Sequence, residues 1–268
     1  MRSVAMRPSH PALIPFISSL HYHESAPPDA LERILPGARV HLMVNLLEDE
    51  FRTYDSQSAD SLRRTHGAVL AGPASQPTVI DTREQRCLVT VDFRLGGAFA
   101  FFRAPISEAH NQLAELDHLW GPDARLLRER LLEARRPESM LRVLESVLLD
   151  HFIAQAPDLA IPFAASALER GLPVSEITAQ LGVLPKTFVR RFRRHTGLAP
   201  KLFARVRRLQ RVLRSIQDPS STDWCELAQL HGYTDQSHFI HDFRDLSGMT
   251  PSAYRPRSSA GQNHVPIP

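Results

Sequence analysis

Alternating apolar and polar positions mark the first half of this chain as β-rich. In residues 87–95 (CLVTVDFRL), Cys87, Val89, Val91, Phe93 and Leu95 share one face, the period-two pattern of a half-buried strand, which Gly96-Gly97 ends. Residues 40–47 (VHLMVNLL) are apolar nearly throughout. Residues 68–71 and 78–80 are shorter strand candidates, flanked by Gly67, Gly72, Pro73 and Pro77. The period then lengthens, and helices are predicted over 107–116, 122–134 and 137–153. In the last, Leu141, Leu144, Leu148 and Phe152, with Met140 and Val147 beside them, form a stripe at helical spacing. A core helix of its own domain is the reading favoured for that stripe, ahead of a dimer helix. Ala156-Pro157 breaks the pattern and marks a linker. The end from Pro256 (PRSSAGQNHVPIP) is rich in Pro, Ser, Gly and Asn, and a disordered tail is expected.

The last third repeats itself. Pro173-Val174-Ser175 leads into EITAQL (176–181), with Ser175 placed as helix cap; Gly182 makes a turn, and a second helix from about 184 to 195 carries Phe188 and Phe192 on one face. Gly197 and Pro200 close the unit. Further on, ELAQLHG (226–232) leads into a helix over about 235–246 anchored by Phe239 and Phe243 and closed by Gly248 and Pro251. The pairs Ile177/Leu227, Thr178/Ala228 and Gly182/Gly232 recur at a spacing of 50, and Phe188/Phe239, Phe192/Phe243, Gly197/Gly248 and Pro200/Pro251 at 51. A short helix, a glycine turn and a second helix locked by two aromatics is a helix-turn-helix, here in tandem. Between the units, Leu202, Val206, Leu209, Leu213 and Ile216 form one apolar stripe, and Arg205, Arg207, Arg208, Arg211 and Arg214 cover the rest. From Pro200 to Gln217 that helix would be about 27 Å long, able to hold two recognition helices about one DNA turn, ~34 Å, apart.

Charge agrees with this division. The chain has 268 residues and a formal net charge of +3. Residues 1–172 hold 18 Lys and Arg against 22 Asp and Glu; residues 173–257 hold 14 against 7. A basic segment on an acidic protein is the footprint of a polyanion binder. Only two cysteines occur, Cys87 and Cys225. They exclude a disulfide framework and a four-cysteine zinc site, and both are read as buried hydrophobes in a reducing compartment. No apolar run approaches the ~20 residues of a membrane span, and no cleavage site follows the start, so no membrane partner and a cytoplasmic location are expected.

The segment GYTDQSHFIHDFRDLSGMTPSAYR (232–255) closely resembles the signature of the AraC/XylS family of bacterial transcription regulators. The resemblance covers about 159–257. It implies a seven-helix DNA-binding domain whose two recognition helices enter successive major grooves. The regions RILPGARVHLMVNL and CLVTVDFRLGGAFA look similar to the sensor-type domains of some members. The expected fold is therefore α+β: a β-rich sensor or dimerisation domain over 1–155 with helices at its end, an all-α tandem helix-turn-helix domain over 158–257, and the tail 258–268. Double-stranded DNA is the expected partner, with RNA polymerase, a small-molecule effector and a second copy of the chain as further candidates; no cofactor is called.

With Phe188 and Phe192 turned inward, Lys186 and Arg190 face outward toward base edges, where Lys and Arg can donate to guanine O6 and N7. Thr187 lies near the edge of that face, and Arg193 and Arg194 are placed for phosphates. In the second unit Gln236, Ser237, His238 and His241 are exposed by the same logic. Arg190 falls on the family's usual contact position; its counterpart His241 departs from the pattern, where Arg is usual. The first recognition helix carries five cations (Lys186, Arg190, Arg191, Arg193, Arg194). The second carries Asp235, Asp242 and Asp245 against Arg244, with Asp235 expected to cap it. The first unit is thus expected to supply most of the DNA affinity. His21-Tyr22-His23-Glu24 is read as ordinary surface or strand-edge residues, because no further His/Glu cluster at strand spacing accompanies it. Two other classes remain to be weighed. A repair-type enzyme fused to such a domain would need an activated cysteine, and Cys87 has no adjacent His. A module binding an acidic protein partner would show no preference among DNA sequences.

Overall fold

The structure, a computed structural model, describes residues 2–25, 31–55, 61–216, 218–258 and 261–267. The strands are β1 (Arg2–Met6), β2 (Ile17–Glu24), β3 (Leu31–Ile34), β4 (His41–Asn45), β5 (Glu50–Tyr54), β6 (Leu62–His66), β7 (Ala68–Ala71), β8 (Thr78–Asp81), β9 (Cys87–Phe93), β10 (Leu113–Glu115) and, near the carboxyl end, β11 (His264–Pro266). They form two antiparallel sheets, in the orders β1-β2-β9-β4-β7-β10 and β11-β3-β8-β5-β6. In the first, Val89 pairs with Tyr22 and Val44, and Val91 with Leu20 and Leu42, so the period-two side chains stack into one buried face. Two helices, α2 (Asp123–Glu133) and α3 (Pro137–Asp150), follow the short α1 (Leu116–Trp120) and share that core through Leu127, Leu131, Leu141, Leu144 and Leu148. Burying each such side chain contributes about 1.5–3 kcal/mol. The α3 stripe is thus spent within its own domain, which removes the dimer-helix reading.

Several expectations need correction. Residues 107–116 are not one helix: a 3-10 turn over Ile106–Ala109 precedes β10, whose Ala114 pairs with Leu70. Strand β6 carries almost no apolar alternation, being a sheet edge with mostly exposed side chains that backbone pairing places; β1, also an edge, sets only Val4 and Met6 against the core. Residues 261–267 of the tail are not free. Strand β11 pairs with β3, and the buried Glu32 carboxylate is met by Arg257 Nη1 at 2.7 Å and His264 Nδ1 at 2.8 Å. A buried acid with two partners offsets what composition withholds.

The carboxyl-terminal third folds as α4 (Ala160–Glu169), α5 (Val174–Leu181), α6 (Pro185–Thr196), α7 (Pro200–Ser215), α8 (Trp224–Leu230) and α9 (Gln236–Ser247), then a 3-10 turn over Pro251–Ala253. Among the described residues that makes six α-helices, with the 3-10 turn after them where the resemblance implied seven helices. Their core is separate from the sheet's, except that Leu35, Ala38 and Val265 join it. Helix α7 ends at Ser215 and is about 24 Å long; Gln217, the end expected for it, lies outside the described residues. Ser175 does not cap α5: the helix starts at Val174, two residues earlier than expected, so Pro173 takes the cap position and Ser175 falls inside the first turn.

Candidate nucleic-acid interface

The two repeats adopt matching conformations. Gly182 and Gly232 are left-handed at φ 64° and 75°, and Val183 N donates to Thr178 O (3.1 Å) as Tyr233 N donates to Ala228 O (3.0 Å). The second helices also end alike. Thr196 Oγ1 donates to Phe192 O at 2.8 Å, and Ser247 Oγ to Phe243 O at 2.6 Å, before Gly197 and Gly248 turn the chain at φ 83° and 73°. The anchors are buried: Phe188 is 3% exposed and Phe239 0%. Phe188 packs on Phe192 (ring centroids 5.6 Å apart) and Phe239 on Phe243 (5.7 Å). Each pair fixes the roll of its helix, and so decides which side chains face out.

On α6 the outward face holds Lys186, Thr187, Val189, Arg190, Arg193 and Arg194, all exposed. Lys186, Val189, Arg190, Arg193 and Arg194 form one wall of an open groove of about 720 Å³, whose other wall is Pro105 and Ser107. On α9 Gln236, Ser237, His238, Ile240 and His241 are exposed. Asp235 caps this helix, its Oδ1 accepting from His238 N at 2.7 Å, while the His238 ring is held by Thr234 Oγ1 at 3.0 Å. The nine residues singled out from the sequence therefore reach solvent on two recognition-type helices.

Charge is distributed differently from the residue tally. Asp242 does not face out. It is 4% exposed, and it accepts from Arg205 Nε at 2.7 Å and from Tyr233 Oη at 3.1 Å. Asp245 takes Arg205 Nη2 at 2.6 Å. One arginine from α7 thus offsets both acids, so α9 is closer to neutral than its composition states. Burial and the adjacent Asp242 push the Tyr233 hydroxyl up, which keeps it a donor. On α6, Arg191 is spent on Asp158 (Nε to Oδ2, 2.6 Å), leaving Lys186, Arg190, Arg193 and Arg194 outward. Nor is α7 a free basic surface. Arg205 is committed as described, Arg207 pairs with Glu169 at 2.7 Å, and Arg208 lies over the Tyr233 ring at 4.9 Å.

The sheet domain leans on α6. The Phe99 ring lies 4.2 Å from His195 and carries the Arg194 guanidinium at 4.9 Å. Gly197 is backed so closely by Pro73 that a Cβ there would stand 2.4 Å from its Cγ, so only glycine satisfies both the turn and the contact. Burial lowers the His195 imidazole from its ordinary value; Asp158 opposes this, and Arg191 and Arg194 reinforce it. Beside this seam is a cleft of about 510 Å³, walled by Phe16, Arg39 and Arg94 on one side and Pro157, Ile161 and His195 on the other.

Three smaller clusters were not legible in sequence. His41 Nδ1 meets Asp92 Oδ1 at 2.8 Å and His21 Nε2 approaches its Oδ2 at 3.6 Å, so neighbouring strands bring His21 the partners that sequence spacing did not reveal. Burial acts to raise the Asp92 carboxyl, but the His41 hydrogen bond and the charges of His41, His21 and Arg39 outweigh it and hold it below its ordinary value. Among the described residues Glu48, Glu50 and Glu84 approach closely enough to share an ion, but the Arg52 guanidinium lies among them. Cys87 is half-buried against the Tyr22 hydroxyl at 3.5 Å, whereas Cys225, expected to be buried, is exposed in the first turn of α8.

Residues 177–257 match the model of a helix-turn-helix domain, and residues 6–115 that of a domain of unknown function. A protein described as a probable transcriptional regulator, LumQ of Photobacterium leiognathi, is 27% identical over 121 residues, 44% of this chain and 43% of that protein. The match therefore spans under half of that relative's length. Among solved structures, ToxT from Vibrio cholerae aligns over 88% of this chain and 96% of its own at 11% identity and a TM-score of 0.44. A structure of wild-type ToxT described as unsaturated fatty acid bound aligns over 88% and 92% at 12% identity and a TM-score of 0.41.

Proposed function

We propose that this chain, whose residues 177–257 form an AraC-type helix-turn-helix domain, is a sequence-specific DNA-binding transcription regulator. The observation that carries the reading is the pairing of two helices, α6 and α9, each rolled by a buried pair of phenylalanines so that polar and basic side chains face out. Lys186 and Arg190 read base edges in one major groove, with Thr187 beside them; Arg193 and Arg194 hold phosphates. Gln236, Ser237, His238 and His241 enter the next groove. The first unit supplies most of the affinity. Helix α7, about 24 Å long, spaces the two.

The amino-terminal part is assigned a regulatory role in the same reading. A small-molecule effector in the cleft beside His195 would bear on α6 directly, since both domains wall it. RNA polymerase and a second copy of the chain are the remaining partners of this proposal, and the cytoplasm its place.

The test is a footprint on the DNA upstream of its own gene. One asymmetric site spanning about two successive major grooves per monomer is expected, lost with rising salt as phosphate contacts are screened. Equal protection of random DNA of the same length refutes sequence-specific regulation and favours a basic module for an acidic protein partner.

A further inference from the structure

Each recognition helix exposes one β-branched aliphatic side chain, at the same place in the repeat. Val189 on α6 is 36% exposed and Ile240 on α9 38%. They stand 51 residues apart, the spacing that relates Phe188 to Phe239 and Gly197 to Gly248. A single exposed aliphatic needs no explanation. Two at matched positions are different, because the surrounding faces have diverged: Lys186 corresponds to Ser237, Thr187 to His238, and Arg190 to His241. Val189 shares the open groove with Lys186, Arg190 and Arg193, a cationic wall to which an isopropyl group adds no attraction for phosphate. Ile240 sits one position before His241 and four before Arg244, on the same outward face.

Resting on the DNA-binding reading above, we infer that Val189 and Ile240 are specificity-determining residues, each packing on the C5-methyl group of a thymine in its own major groove. The thymine methyl is the apolar feature a base pair presents in that groove. A β-branched side chain in a helix is stiff at χ1, so it meets the methyl with little rotamer entropy left to lose. The two thymines lie about one helical turn apart, ~10 base pairs, as successive grooves require.

The experiment uses the full chain and the upstream site defined by footprinting, with single thymines replaced by deoxyuridine to delete one methyl at a time while the protein stays unchanged. One replacement under α6 is expected to weaken binding about fourfold, equivalent to about 0.8 kcal/mol for one methylene-sized contact. Val189→Ala, a change that favours helix, is expected to cost about as much on thymine DNA and nothing further on that deoxyuridine site. Ile240→Ala is expected to show the same coupling to a thymine about one turn away. Thermal melting of each variant reports that the fold is kept. Losses that simply add at every thymine, or a site with no methyl-sensitive position, overturn the inference and leave the DNA-binding reading standing. Absence of any preferred upstream site overturns that reading itself, and this inference with it.

Discussion

Helices α6 and α9 close on the same two aromatics and end in the same hydroxyl-to-carbonyl bond, yet they meet the problem of charge in opposite ways. α6 keeps Lys186, Arg190 and Arg193 outward, gives up Arg191 to Asp158, and lays the still exposed Arg194 over the Phe99 ring. α9 carries acids, and hides their effect by turning Asp242 into the core against Arg205 and Tyr233. The supports differ as well. The sheet domain braces α6 through Phe99 and Pro73, whereas α9 leans on its own domain through Tyr233, Trp224 and Tyr254. One fold can therefore hold a strongly cationic reader and a nearly neutral one, because the roll of each helix is set by its aromatics and not by its surface.

The sharpest way to break that comparison is to remove one side chain from each face. Arg190→Ala is expected to cost about 1–3 kcal/mol of operator binding in gel shifts at fixed salt, and His241→Ala only a few-fold in affinity. Equal losses would mean that the two units share the affinity. Next in size is Arg205→Met, which leaves the Asp242 carboxylate buried with Tyr233 as its remaining partner. A destabilisation of about 1–2 kcal/mol is expected in denaturant melts, at the low end for a buried charge because Arg205 is itself partly exposed. An unchanged midpoint would show that α9 is not held through this pair.

Smaller again is Phe99→Ala. It removes the ring between the sheet domain and α6, a loss of about 1 kcal/mol given a cation–π contribution of ~0.5–1. Faster protease cleavage within 153–158 is the readout, and an unchanged cleavage rate would detach α6 from its brace. The least effect concerns pH. Because the folded His195 value lies below the ordinary 6.5, the unfolded chain takes up the proton first. The stability associated with neutral His195 is present above about pH 6.5 and lost as pH falls below it. His195→Gln should flatten that part of the melting-temperature profile between about pH 7.5 and about pH 5.5. Identical profiles would remove His195 from the seam's energetics.

What could be read from the chain alone follows from local periodicity. The two units, their glycine turns, the inward phenylalanines, strand β9 and helix α3 all announce themselves within a dozen residues, where side-chain spacing and backbone preference agree. The outward residues of α6 and α9 follow from the same spacing. Other features required partners distant in sequence. Edge strands β1 and β6 exist because a neighbour supplies their hydrogen bonds; β11 is held in place because Glu32 offers a buried carboxylate 232 residues from His264. Asp242 is internal because α7 brings Arg205 to it. Periodicity tells a side chain which way to face, but not what stands opposite. Pairing, charge neutralisation and the brace on α6 are long-range contacts, and those only tertiary structure decides.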